Sequence, residues 1–316
     1  MYLNEIADSL EPLDMTGSAE FESLLQSAAD LGIPHARDAR YRSRHTVVRR
    51  LRFHFSEWGE PGAPQVLLLH GGNQSSHSWD LVSLHLSGRF HVFALDQRGH
   101  GDSEWSRDQD YSIEAKALDA LCFMKDQGLE SPVIMGHSMG GIVTMTMAID
   151  EPELARGLVI VDVGPELSAQ GAKVIHDFVT HNVEFDSLDE FLDNVVEYDR
   201  FRTREHIART VKYNMLRRAD GKYVSKVDHR RVPTSSSDAT LTLNDVRTLP
   251  CPVLVVRGGD SDVLEPDAAQ RFADAMPKGE LVTVPNCGHN VHSGNTPGFL
   301  NAINPFIDRL NRGPLN

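Results

Sequence analysis

The run Gly136-His137-Ser138-Met139-Gly140 ends a block of apolar residues and opens a stretch of helical composition. A serine in this G-x-S-x-G setting, with a strand before and a helix after, sits on a turn sharp enough to lift its hydroxyl clear of the chain. The turn also sets it at the amino end of a helix, where backbone N–H groups favour developing negative charge. Glycine at 136 and 140 leaves room for backbone that a side chain would block. These features suit a nucleophile attacking a carbonyl carbon. That chemistry needs three further parts: a base to take the serine proton, an acid to orient the base, and two N–H donors for the oxyanion.

Fifteen histidines compete for the role of base, so position has to choose among them. His289, in Val284-Pro285-Asn286-Cys287-Gly288-His289, follows the last apolar run and opens on the same side as Ser138; His292 is the alternative. His137 should point away from the pocket, and His70 should be a structural hydrogen-bonding residue. A serine on this kind of elbow is followed in the chain by its acid and then its histidine. Asp262 is the preferred acid, Asp260 is expected to bind turn amides, and Asp162 is a third option. The oxyanion donors are expected from Met139, after the nucleophile, and from Gly72 in His70-Gly71-Gly72-Asn73, with Asn73 second. Asn73, Trp79, Phe178 and Phe185 are expected around the substrate. Cys122, Cys251 and Cys287 are scattered without metal-ligand spacing, and the chemistry calls for no metal or organic cofactor.

The elements that must position these residues follow a regular order. Continuous apolar runs at 65–71, 91–96, 132–138, 157–164, 252–258 and 280–286 suit strands covered on both faces. Helical segments are expected at 78–87, 112–127, 139–150, 265–276 and 297–312. The alternation predicts an α/β fold, a mostly parallel sheet with helices on both faces and ligands at the strands' carboxyl ends. Residues 165–245 lack buried-strand runs and are read as an inserted, mainly helical cap, acidic over 166–199 and basic over 200–231. Those two faces either pair with each other or draw in an anionic substrate. Residues 1–45 read as an extension outside the core, with one amphipathic helix carrying Phe21, Leu24, Leu25, Ala28 and Leu31 that packs on the main body.

Composition narrows the partners. The 316 residues are 40% hydrophobic and carry a formal net charge of −14, which favours a large core and opposes nucleic acid. Seven arginines between Arg37 and Arg52 are the local exception, read as a solvated strand. Few cysteines suggest a reducing cytoplasm, and neither a secretory leader nor an apolar membrane span is evident.

The segments HGG at 70–72, DQRGHGDS at 96–103, GHSMGG at 136–141, RGGDSDVLEP at 257–266 and GH at 288–289 resemble the α/β-hydrolase superfamily. The likeness spans about 46–312 apart from the cap. It implies a triad of Ser138, Asp262 and His289, oxyanion donors at Gly72 and Met139, and a structural turn built on Asp96, Arg98, Gly99, Gly101 and Asp102. Serine at the elbow argues against the aspartate-bearing dehalogenases and epoxide hydrolases. An ester or lactone is the expected small-molecule substrate. C–C hydrolysis of a vinylogous diketone by the same triad is the alternative, with Asn290 after His289 counting against it, and a non-catalytic receptor is the remote one.

Overall fold

A computed structural model of the chain describes residues 11–168, 173, 184–229 and 241–311. Its centre is a nine-stranded sheet. In chain order the strands are β1 (Leu13–Asp14), β2 (Tyr41–Val48), β3 (Leu51–Trp58), β4 (Gln65–Leu69), β5 (His91–Leu95), β6 (Val133–His137) and β7 (Gly157–Val161), then two strands after the inserted segment that the sequence reads as a cap, called the cap below. With the cap strands β8 (Glu184–Phe185), β9 (Met215–Arg217) and β10 (Tyr223–Ser225) counted, those two are β11 (Val253–Gly258) and β12 (Gly279–Val284). The spatial order is β1-β2-β3-β5-β4-β6-β7-β11-β12. From β5 to β12 every pairing is parallel, and β1 to β3 add on antiparallel. Val66 to Leu69, Val133 to Met135 and Leu158 to Val161 are all inaccessible to water, as strands covered on both faces must be. Because these strands are parallel, the loops after Leu69, His137, Val161, Gly258 and Val284 all leave by one edge. That edge carries the residues singled out above.

The helices α1 (Ala19–Asp30), α2 (Asp80–Leu86), α3 (Ile113–Asp126) and α4 (Met139–Asp150) precede the cap, which contains α5 (Leu188–Tyr198) and α6 (Arg204–Val211). After it come α7 (Leu243–Val246), α8 (Pro266–Ala275), α9 (Val291–Gly294) and α10 (Thr296–Asn311). The N-terminal segment is joined to the body by a strand as well as by its helix. β1 pairs with β2, which begins at Tyr41, inside the expected extension. The Ser18 hydroxyl caps α1 by accepting from Phe21 N–H at 3.2 Å. Phe21, Leu24 and Ala28 are buried in one core with Tyr41 and Trp58, whose rings stack 3.9 Å apart. Each fully buried large side chain of this kind contributes roughly 1.5–3 kcal/mol.

Arg49 and Arg50 form the two-residue turn between β2 and β3 with φ of 49° and 65°, the left-handed geometry such hairpins need. The Arg49 guanidinium is held by Asp119 at 2.8 Å. Arg40 pairs with Glu60, and Arg42 and Arg44 pair with the buried Glu57. The arginine-rich segment is therefore largely engaged within the fold.

The cap has its own apolar centre of Phe185, Phe191, Leu192, Val195, Ile207, Val211 and Met215. It also holds a small antiparallel sheet, β8-β10-β9, that the sequence reading missed. Strands of two or three residues are too short to show a period. Its acidic and basic halves pair with each other: Arg204 with Asp189 and Asp193, Arg218 with Glu184, and Lys222 with Glu184 and Asp186. Among the described residues no helix is long and apolar enough to cross a membrane.

Candidate active site

The turn from β6 into α4 puts Ser138 at φ 50° and ψ −119°. A non-glycine residue in this region stores about 1–3 kcal/mol of strain and persists only where its surroundings impose it. Here Ser138 N–H donates to Val161 O at 3.0 Å, and the Ser138 carbonyl accepts from Gly141 at 2.8 Å and Ile142 at 3.1 Å. The flanking glycines are obligatory by packing. A Cβ on Gly136 would lie 2.3 Å from Gly140 O, and one on Gly140 would lie 2.3 Å from Leu69 O.

His289 occupies the loop after β12, and its Nδ1 donates to Asp162 Oδ2 at 2.9 Å. A carboxylate can only accept, so Nδ1 carries the proton and Nε2 presents its lone pair. Asp162 is fully buried at the end of β7, with φ 52°. Its Oδ1 accepts from Gly258 N–H at 2.9 Å, and its Oδ2 also accepts the Ser261 hydroxyl. The preferred acid was therefore misplaced: Asp162, not Asp262, stands behind the imidazole. After β11 the chain alternates, so that Ser261 points inward while Asp260 and Asp262 are exposed. The inward position that a carboxylate would need is filled by a serine, which hydrogen-bonds to the carboxylate from β7. Burial, together with the charges of Asp199, Asp162 and Asp262, pushes the Tyr198 hydroxyl up to about 12.

The expected oxyanion loop leaves β4 beside the elbow, since Leu69 is in register with Gly136. Gly72 is exposed, and a Cβ there would meet nothing within 4 Å. Asn73 is half-buried at φ 58°. Met139 is the first residue of α4, where N–H groups have no intrahelical acceptor. Ser138 N–H is already spent on Val161 O and is not available to an oxyanion. His70 donates from Nδ1 to Gly71 O at 2.7 Å and accepts Gln97 N–H at Nε2, so it ties two loops together.

Other expected residues lie elsewhere. Trp79 is fully buried, stacked 4.0 Å from His292 and packed on Phe299, so it belongs to the core and not to a substrate pocket. His292 is buried with it, and burial holds its pKa well below the usual imidazole value, with Arg202 and His289 adding. Phe185 is inside the cap's own core. Phe178 lies outside the described residues.

Three polar residues next to the site were not anticipated. Gln74 Nε2 donates to Asn290 Oδ1 at 2.9 Å, and Asn290 Nδ2 donates to Asp199 Oδ2 of the cap at 3.3 Å. Their partners are 216 and 91 residues away in the chain, so no local spacing signals them. Phe201 of the cap is also close to the histidine loop, 3.0 Å from where a Cβ on Gly288 would lie.

Among the described residues, His54, Asp96 and Asp102 are close enough to share a metal ion. Their donor atoms are engaged within the fold instead. Asp96 accepts from His54 Nδ1 at 2.7 Å, Asp102 N–H at 2.9 Å and Ser76 N–H at 2.5 Å, and Lys226 pairs with Asp102 at 2.5 Å.

The geometry is matched by kinship. Residues 66–302 fit the model of the alpha/beta hydrolase family. The chain belongs to this family. Its relatives include an esterase, Rv0045c, of Mycobacterium tuberculosis, 28% identical over 302 residues that cover 93% of this chain and 98% of the relative. The mouse sn-1-specific diacylglycerol lipase ABHD11 is 28% identical over 264 residues, covering 79% of this chain and 82% of that one. The crystal structure of an alpha/beta hydrolase from Novosphingobium aromaticivorans superposes with a TM-score of 0.74 at 26% identity, over 85% of this chain and 98% of that chain.

Proposed function

We propose that this protein hydrolyses a carboxylic ester or lactone through Ser138, His289 and Asp162. The observation that carries this reading is the 2.9 Å bond from His289 to the buried Asp162, on the sheet edge that also presents the strained Ser138. His289 Nε2 takes the Ser138 proton as Oγ bonds to the substrate carbonyl carbon. The electron pair moves to the carbonyl oxygen, which rests on the Gly72 and Met139 amides. When the carbon–oxygen bond to the alcohol breaks, His289 returns the proton to the leaving oxygen. Water then attacks the acyl-serine with His289 again as base, releasing the acid and restoring Ser138. Asp162 holds the tautomer and stabilises the imidazolium throughout. The cap, residues 165–245, is read as the lid that governs access, with Phe201 and Asp199 against the histidine loop. Relatives named for esterase and lipase activity support the ester reading.

The test is turnover of p-nitrophenyl acetate together with labelling by a fluorophosphonate. Wild type should turn over the ester and be labelled at Ser138, while Ser138→Ala should lose both with an unchanged melting temperature. A fully active alanine variant, or labelling at another residue, would falsify this assignment.

A further inference from the structure

Gln74 has contacts that its exposure would not suggest. Its Oε1 accepts from Gly71 N–H at 3.1 Å and lies 3.2 Å from His137 Nδ1, while its Nε2 donates to Asn290 Oδ1. Gly71 precedes Gly72, His137 precedes Ser138, and Asn290 follows His289. A single side-chain amide therefore bonds to the neighbours of the proposed oxyanion donor and of the proposed base, and touches the neighbour of Ser138. We propose that Gln74 is a positioning residue that sets the spacing between the oxyanion loop and the histidine loop, to which His137 ties the nucleophile elbow.

The direction of every bond in this chain is fixed at its ends. Gly71 N–H can only donate, so the Gln74 oxygen must face it and the Gln74 nitrogen must face Asn290. Asn290 then accepts through its oxygen, which turns its nitrogen toward Asp199, a carboxylate that can only accept. Asp199 is buried and also receives Arg202 Nε at 2.8 Å. The result is a directional relay from the oxyanion loop, through Gln74 and Asn290, into the cap. His137 braces it from below. Its ring is fully buried, and burial with the nearby His292 and His289 keeps it neutral. It can give one proton, and the shorter contact, 2.9 Å from Nε2 to His289 O, takes it, so Nδ1 packs against Gln74 Oε1 without a hydrogen bond. The ring also limits the loop: a Cβ on Gly71 would lie 2.6 Å from His137 Nδ1.

Oxyanion donors act only within a few tenths of an ångström of their ideal position, and a displacement of about 1 Å costs on the order of 10²-fold in rate. Gln74 acts on that position and not on substrate binding, so its loss belongs in kcat. This inference rests on the hydrolase reading above, and the experiment separates the two. Wild type, Gln74→Ala, Gln74→Glu, Asn290→Ala and the Gln74→Ala/Asn290→Ala double variant are assayed on p-nitrophenyl acetate, with melting temperatures alongside. Gln74→Ala should lower kcat by about 10- to 100-fold with KM within about twofold. Gln74→Glu, which keeps the acceptor for Gly71 N–H, should recover part of that loss. The double variant should be no more than about twofold worse than the poorer single one, because both break one relay. A wild type that neither turns over the ester nor takes the fluorophosphonate overturns the hydrolase reading and this role with it. With an active wild type, three results each overturn the Gln74 role alone: Gln74→Ala within about twofold of wild type, a loss confined to KM, or single effects that multiply.

Discussion

At the scale of single residues, the site turns on which carboxylate orients the imidazole. Asp162 is fully buried and satisfies three donors, His289 Nδ1, Gly258 N–H and the Ser261 hydroxyl. Asp262 is on the surface. Asp162→Asn should lower kcat by about 10⁴, because an amide at this position can donate to the imidazole and favour the wrong tautomer. Asp262→Asn should leave kcat within about twofold, as expected of a surface change. Steady-state kinetics on an aryl ester check both, and the opposite ranking would return the role to the loop after β11. The proposed nucleophile and histidine are legible in the sequence because each is marked by its own neighbours, two glycines around Ser138 and the end of the last strand before His289. The acid carries no such mark. Its identity depends on which residue of two loops turns inward, and that is decided by the left-handed backbone at Asp162 and the alternation over Asp260, Ser261 and Asp262. Trp79 and Phe185 were misplaced for the same kind of reason: an aromatic residue reads alike whether it faces a pocket or a core.

At the scale of elements, the elbow illustrates how close packing between strand, turn and helix dictates sequence. Gly140 lies against the Leu69 and His70 carbonyls, backbone that cannot rotate away, while Gly72 two residues beyond His70 faces open space. Gly140→Ala should therefore destabilise the fold at the upper end of, or beyond, the roughly 1–3 kcal/mol typical of overpacking. Gly72→Ala should leave the melting temperature close to wild type. Thermal unfolding of the two variants tests the contrast, and equal losses would mean that the two loops are not packed as described. The expected parallel strands and flanking helices coincide with the observed ones to within a few residues. Buried parallel strands are continuous apolar runs with turn residues at each end, which is a local signal. The cap sheet and β1 are pairings of two or three residues, held in place by contacts that no window of sequence contains.

Across the whole molecule, one buried pair joins the sheet, the site loop and the cap. His54 of β3 bonds to Asp96 at the end of β5, and Asp96 also holds Ser76 of the loop that follows the oxyanion segment. Asp102, bonded to Asp96 through its N–H, carries Lys226 from the cap, and Trp105 Nε1 donates to the Lys226 carbonyl at 2.7 Å. Burial opposes the charge on His54, but the Asp96 carboxylate, with Asp102 adding, overrides it and raises the imidazole above its ordinary value, against the smaller opposing effect of Lys226. Asp96 is shifted the other way: burial would raise its pKa, and His54 and the N–H donors lower it. The signs then fix the pH window. A raised histidine contributes stability that is complete below its unfolded value of about 6.5 and is lost as pH rises through the folded one. A lowered aspartate contributes above its unfolded value of about 3.9 and loses that only in stronger acid. The pair is thus strongest in mildly acidic solution. His54→Gln should lower the melting temperature more at about pH 5.5 than in alkaline solution, because the contribution of a raised imidazole falls once pH passes its unfolded value. A difference between variant and wild type that stays constant from acid to alkaline solution would mean that folding does not raise the His54 imidazole, and that its bond to Asp96 contributes no charge-dependent stability.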